Sequence, residues 1–230
     1  MGCSESTDSG NIDIPEIDMS KLDRYAKFEH SFPFYRTRID VFEGRVKRFV
    51  NGKTSVSLAQ LQYAFKDDKK WSDLYDEHSN LVQILKSEYF RDENLHNEIN
   101  LQALILWGLL LCNGDAALKA RVFYDVLQDN LQETISANDK DFPENFDKLM
   151  HLATSMVYEY EHEFYNGPVR FSDNITDTLL EEIREDFLDQ VYGARAKLTR
   201  KDYMEFISTK QNWIFNPSQI RKRIDEALNK

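Results

Sequence analysis

The stretch that decides the fold is residues 92–128, DENLHNEINLQALILWGLLLCNGDAALKARVFYDVLQ. Its first part is polar and carries a single isoleucine, Ile99, just before an apolar helix that we predict over residues 101–112. An Asn-Gly pair breaks that helix, and the spacing of the next apolar residues predicts an amphipathic helix over residues 115–127. The stretch therefore has the pattern of one helix-loop-helix unit leading into another.

The same order of features occurs four times along the chain. Each time, one apolar residue in a polar loop directly precedes a residue that can cap a helix. The four pairs are Val56-Ser57, Ile99-Asn100, Ile135-Ser136 and Leu198-Thr199. Ser57 is also followed by Gln60 at the spacing of a capping box, which predicts a helix start at that point. The alternative is a generic helical protein with polar loops, because N-capping alone explains a polar residue before a helix.

This pattern resembles divergent EF-hand proteins of the N-myristoylated neuronal-calcium-sensor type, with degenerate loops. The resemblance covers residues 35–210 and implies an all-α fold with two lobes of paired, degenerate EF-hand-like units. In such proteins the eighth loop residues of two units form a short β-bridge, which implies that Val56 pairs with Ile99 and Ile135 with Leu198. The expected divisions are a flexible acylated tail (1–20), an N-terminal lobe (21–112), a C-terminal lobe (113–210) and a helical extension (211–230).

The loops depart from what a calcium site needs. Calcium takes six to eight oxygen ligands, including a bidentate Glu at the twelfth loop position. In the register that the resemblance implies, the first loop carries Lys53 at a ligand position and the fourth carries Arg195. The second loop is the best candidate, but it ends in Ala103. Its candidate metal ligands are Asp92, Asn94, His96 and Asn100. We therefore expect structural loops with no cofactor, and weakly bound calcium at the second loop is the alternative.

The first residues, MGCSES, match the acceptor sequence for N-myristoylation at Gly2. A single myristoyl chain binds a membrane only marginally, so stable anchoring needs a second signal. Residues 1–20 contain five carboxylates and no Lys or Arg, which excludes a polybasic second signal there. Palmitoylation of Cys3 is the expected second signal, and chance similarity of an ordinary terminus is the alternative.

Composition narrows the possible function classes. Hydrophobic residues make up 41% of the 230 residues and aromatic residues 13%, which predicts a folded chain. The formal net charge of −11 argues against nonspecific nucleic-acid binding. No apolar run is long enough to span a membrane, and no common catalytic motif is present. Cys112 follows an apolar helix and is expected to be a buried, inert thiol.

Two longer helices are predicted over residues 35–49 and 146–160, and a last one over 218–228. The C-terminal segment is expected to dock on the protein's own groove or on a partner's. Its candidate partner-binding residues are Trp213, Phe215, Ile220 and Ile224. Basic clusters at 45–48 and 221–223 are candidates for contact with anionic lipid.

The expected function is that of a non-enzymatic adaptor or regulatory subunit. It is held at the cytoplasmic face of a membrane by its acyl chains and binds an amphipathic helix of a protein partner. The alternatives are a calcium sensor with at least one working loop and a structural component of a membrane-associated cytoskeletal assembly.

Overall fold

The computed structural model describes residues 18–49, 52–92, 95, 97–127, 133–139, 141–165 and 175–229. Within these residues the chain is mostly helical, with eleven α-helices and two sheets of two short strands each, so the all-α class is confirmed. The helices are α1 (Arg24–His30), α2 (Ile39–Lys47), α3 (Leu58–Ala64), α4 (Asn80–Leu85), α5 (Leu101–Leu111), α6 (Ala116–Leu127), α7 (Asp141–Ala153), α8 (Ser155–Tyr165), α9 (Asp177–Tyr192), α10 (Arg200–Lys210) and α11 (Pro217–Leu228). The strands are β1 (Ser55–Ser57), β2 (Glu98–Asn100), β3 (Thr134–Ser136) and β4 (Lys197–Thr199).

The strands pair the four loops two by two. β1 is antiparallel to β2 with Val56 opposite Ile99, and β3 is antiparallel to β4 with Ile135 opposite Leu198. All four of these side chains are buried. The two residue pairs expected from the sequence are therefore confirmed, including the pair that is 63 residues apart in the chain.

Most of the predicted capping residues begin helices as expected. Ser57 and Gln60 form a complete capping box at α3. Asn100 Oδ1 accepts a hydrogen bond from the Ala103 N–H at α5, and Thr199 caps α10. The expectation for Ser136 is wrong, because α7 begins only at Asp141.

Helix α5 is the central element of the core. Its residues from Ala103 to Leu110 are all buried, so it is apolar around its whole circumference. It packs against α2, α6 and α7. The Trp107 ring lies 4.5 Å from that of Phe34 and 5.0 Å from that of Phe90, measured between centroids. The hydrophobic core is therefore continuous across the expected lobe boundary at residue 112.

Two predicted helices have different limits in the structure. The helix expected over 35–49 begins only at Ile39, because Thr37 and Ile39 instead bond Asn113 through their backbones. The long helix expected over 146–160 is divided into α7 and α8 at Thr154. The Thr154 hydroxyl donates to the Met150 carbonyl over 2.7 Å, while its N–H donates to the His151 carbonyl. A threonine hydroxyl that competes for the helix carbonyls explains the break, which periodicity alone does not reveal.

Candidate functional site

The two ends of the first loop are joined by the side chain of Gln60. Its Oε1 accepts from the Ser57 N–H over 2.8 Å, and its Nε2 donates to the Phe49 carbonyl over 3.3 Å. In the expected register Phe49 is at the first ligand position of the loop and Gln60 is at the last. The Gln60 side chain therefore bridges the start of the loop and the start of α3 by hydrogen bonds of the chain's own groups.

In the second loop, the two described candidate ligands direct their oxygens at backbone N–H groups. Asp92 is 4% exposed, and its Oδ1 accepts from the Leu95 N–H over 3.1 Å. Asn100 Oδ1 is used by the cap of α5. The Asp92 N–H also donates to the Glu98 carbonyl over 3.0 Å, which joins the two sides of the loop. The candidates Asn94 and His96 lie outside the described residues.

In the fourth loop, the guanidinium group of Arg195 donates hydrogen bonds to two backbone carbonyl oxygens. Arg195 donates from Nη2 to the Val191 carbonyl over 3.2 Å and from Nε to the Tyr192 carbonyl over 3.3 Å. The carboxylate of Asp202, at the twelfth position, accepts from the Thr199 hydroxyl over 2.8 Å. The guanidinium group of Arg195 therefore binds two backbone carbonyl oxygens at the start of this loop. Residues 128–132 of the third loop lie outside the described part of the chain.

Across the described residues, no group of three or more His, Cys, Asp or Glu side chains is arranged to hold a metal ion. The first, second and fourth loops show what their polar groups do instead. They form hydrogen bonds to the backbone of their own loop or of the helix that follows it.

The lipidation candidates Gly2 and Cys3 lie outside the described residues. Within the described part of the chain, none of the helices is long and apolar enough to cross a membrane.

The C-terminal candidates for partner binding lie in the chain's own core. Trp213 and Phe215 are each 5% exposed, and Ile220 and Ile224 are still more deeply buried. The segment packs on α6, α7 and α9. The Trp213 ring centroid lies 6.1 Å from that of Phe187, and the Arg223 guanidinium carbon lies over the Trp213 ring at 4.2 Å from its centroid. The C-terminal segment was expected to dock on the protein's own groove or on a partner's, and in the structure it docks on the protein's own groove. Its four candidate side chains are therefore buried and not exposed to a partner.

Of the two basic clusters, the one at 221–223 is largely used within the fold. Arg221 is buried against Glu29, and Arg223 stacks on Trp213. Lys222 lies at the surface with its Nζ 3.7 Å from Glu226. This cluster therefore does not form a basic surface.

A buried lysine lies beside Cys112, and sequence reasoning missed it. Lys119 is 9% exposed, and its Nζ donates to the Phe215 carbonyl over 3.4 Å. Burial lowers the pKa of Lys119 to about 8, while the nearby Cys112 thiol raises it slightly. Burial also raises the pKa of the Cys112 thiol well above its ordinary value, so the thiolate is disfavoured. Lys119 falls on the apolar face of α6, and this position in the sequence could have indicated that it is buried.

An open cavity of about 670 Å³ lies between α7 and the segment after α4. Tyr89, Leu152 and Ile175 provide its apolar lining. Its polar lining residues are Glu88, Glu144, Asp147, Lys148, His151 and Ser155.

Most of the polar groups that line the cavity are hydrogen-bonded or ion-paired. His151 Nδ1 lies 3.1 Å from Ser155 Oγ, and both carboxylate oxygens of Asp147 are held by Arg184. Lys148 Nζ lies 3.3 Å from Glu144. Because the arginine holds the Asp147 carboxylate, the arrangement does not form a nucleophile, base and orienting acid in series. Arg184 and Lys148 offset the charges of Asp147 and Glu144, so Glu88 is the remaining lining carboxylate, and with the apolar floor it suits an amphipathic ligand that carries a basic group.

Comparisons with protein-family models, with curated proteins and with solved structures found no match to this chain.

Proposed function

We propose that this protein is a non-enzymatic adaptor or regulatory subunit built from paired, degenerate EF-hand-like units. It is anchored at the cytoplasmic face of a membrane by acylation of Gly2 and Cys3, and it binds an amphipathic helix of a protein partner. The observation that carries the proposal is the combination of paired loops with loop backbones that the protein's own side chains hydrogen-bond.

Pairing is the first part of that observation. Two antiparallel bridges join helix-loop-helix units at Val56–Ile99 and at Ile135–Leu198, where EF-hand pairs also join. The carbonyl groups of the first and fourth loops accept from Gln60 and Arg195. Loops of this kind keep the paired architecture without depending on a metal ion, which favours a constitutive scaffold over a calcium switch.

The cavity beside α7 is the surface that best suits a partner helix. The C-terminal segment already covers the groove formed by α6, α7 and α9. The cavity remains open, Tyr89 and Leu152 contribute apolar surface to it, and Glu88 contributes a carboxylate. A helix with apolar residues on one face and basic residues beside them complements this lining.

Calcium titration by calorimetry, at physiological magnesium, tests the metal-free loops. The control is Asp92→Asn, which keeps an oxygen for the Leu95 N–H and removes the charge. We expect no heat up to millimolar calcium for either protein. Tight binding that Asp92→Asn abolishes would show that the protein is a calcium sensor instead.

Site-specific photocrosslinking in cells tests the partner surface. A photoreactive phenylalanine analogue at position 89 should capture a defined protein partner through a helical segment. The same analogue at Tyr75, which is 53% exposed and is not one of the residues that line the cavity, is the control. Equal crosslinking at the two positions would rule out the cavity as the partner site.

A further inference from the structure

The charge of the chain is divided unevenly along its length. Residues 44–70 contain seven Lys or Arg and two Asp, a formal charge of +5, within a chain of −11. The rest of the chain therefore carries −16. The positive segment covers the end of α2, the first loop, α3 and the residues that follow α3.

Most of these cations project into solvent. Arg45 is the exception, because its Nη1 lies 3.0 Å from Asp68 Oδ2 and each charge offsets the other. Lys47 is exposed but reaches Glu43 at 2.8 Å. The remaining exposed cations of this segment are Arg48, Lys53, Lys66, Lys69 and Lys70, and Asp67 is the exposed carboxylate among its described residues. Together with Tyr63, these five cations are called the basic surface below.

An exposed aromatic side chain lies within the basic surface. Tyr63 is 57% exposed, Lys66 Nζ lies 4.4 Å from its ring centroid, and the Phe49 ring meets it edge-on at 5.4 Å. The Arg45–Asp68 ion pair ties α2 to the segment that carries Lys69. These contacts connect the end of α2 with Tyr63, Lys66 and the residues that follow α3.

The positive surface has a clear limit along the chain. Asp73, Asp76 and Glu77 are exposed and follow it in sequence. Cations occur throughout the chain, but in residues 44–70 they outnumber the carboxylates by five, so this helix-loop-helix unit carries a net positive charge within an acidic chain.

We propose that the basic surface lies against the anionic headgroups of the membrane to which the protein is anchored. Lysine and arginine attract acidic lipid, and an exposed tyrosine places its ring in the headgroup layer while its hydroxyl stays hydrated. This inference rests on the proposed membrane anchoring and adds the orientation of the fold on the bilayer, with the first helix-loop-helix unit facing the lipid.

A flat membrane suits this charge distribution better than a nucleic acid does. At physiological ionic strength, charges separated by more than about 8 Å of solvent are largely screened. A bilayer surface touches one side of the protein, so the carboxylates on the other sides contribute little repulsion. A polyanion that follows the protein surface would meet those carboxylates.

Vesicle flotation of the acylated full-length chain tests the inference. The two probes are vesicles of phosphatidylcholine alone and vesicles of phosphatidylcholine mixed with phosphatidylserine. The test variant is Lys66→Gln, Lys69→Gln and Lys70→Gln together. The matched control is Lys197→Gln, Lys201→Gln and Lys210→Gln, which removes three exposed lysines and the same charge from elsewhere.

We expect phosphatidylserine to strengthen binding of the wild-type protein and of the control variant. The test variant should lose that gain by about a hundredfold, since each basic residue near an anionic surface is worth about fivefold. Binding to pure phosphatidylcholine should be equal in all three proteins. Raising the salt to about 1 M, where the screening length is about 3 Å, should abolish the phosphatidylserine effect and leave the anchored fraction.

The two proposals fail differently in this assay. If Gly2→Ala binds pure phosphatidylcholine as well as the acylated protein does, the anchoring itself is wrong. If anchoring holds but phosphatidylserine adds nothing, or both triple variants lose equally, the basic surface does not face the lipid. Binding to RNA in preference to phosphatidylserine vesicles, with the loss confined to the test variant, would also overturn the inference.

Discussion

Arg221 and Glu29, 192 residues apart in the chain, form a buried bidentate ion pair. Their oxygen–nitrogen distances are 2.6 and 3.1 Å, and Arg221 also donates to the Ala153 carbonyl over 3.0 Å. The pair holds the last helix, α11, against the first helix, α1, and against the end of α7. Neither the segment around Glu29 nor the segment around Arg221 indicates this contact from its sequence alone.

We expect Arg221→Met to destabilise the protein by about 3–5 kcal/mol, because it leaves the Glu29 carboxylate buried without its counter-charge. Chemical denaturation of Arg221→Met, of Glu29→Leu and of the double variant measures this. The double variant should be more stable than the sum of the two single losses predicts. Additivity within about 0.5 kcal/mol would show that the pair is not coupled.

The buried Lys119 should make stability depend on pH. Its folded pKa of about 8 lies below its ordinary value of 10.5, so between these values the unfolded chain binds a proton that the folded chain does not. Stability should therefore rise with pH across this window, by about 3 kcal/mol in total, and the penalty should be constant below pH 8.

The measurement compares the free energy of unfolding of the wild type with that of Lys119→Met over the same pH range. Cys112 and the buried tyrosines, whose pKa values burial raises, act in the opposite direction but are common to both proteins. A difference that does not change with pH would contradict the lowered pKa.

Gly108 lies where α5 crosses α2. A Cβ atom at this position would lie 2.6 and 2.7 Å from two atoms of the buried Phe42 ring. We expect Gly108→Ala to destabilise the protein by about 1–3 kcal/mol through overpacking. Gly44→Ala, in α2, is the control, since nothing lies within 4 Å of its Cβ and alanine should stabilise that helix by about 0.5–1 kcal/mol. Equal effects in thermal denaturation would argue against close packing at Gly108.

The C-terminal segment should behave as part of the core. Ile224 is 1% exposed, and Ile224→Ala should cost about 2–5 kcal/mol, with Ile224→Val costing about 0.5–1.5 kcal/mol. Deletion of 213–230 should uncover apolar surface and increase binding of a hydrophobic fluorescent dye. A deletion variant with unchanged dye binding and unchanged stability would place the segment outside the core.

The local pattern of residues was sufficient to predict several features of the fold. An apolar residue followed by a capping residue correctly predicted the caps at Ser57, Asn100 and Thr199, and the resemblance to paired EF-hand units correctly implied the bridge pairs Val56–Ile99 and Ile135–Leu198. Such features depend on interactions within a few residues, or on a repeated unit whose pairing rule is the same each time. The break at Thr154 was missed because it depends on one hydroxyl and not on periodicity.

By itself, the sequence determined the helical class and the helix starts at three loops, and it places the cations Lys53 and Arg195 in the first and fourth loops. Only the tertiary structure decided where those cations point, which groove the C-terminal segment fills, and that Lys119 and Arg221 are buried while Lys66 and Lys69 remain exposed. Burial and ion pairing join residues far apart in the chain, and the periodicity of a single segment contains no information about its distant partner.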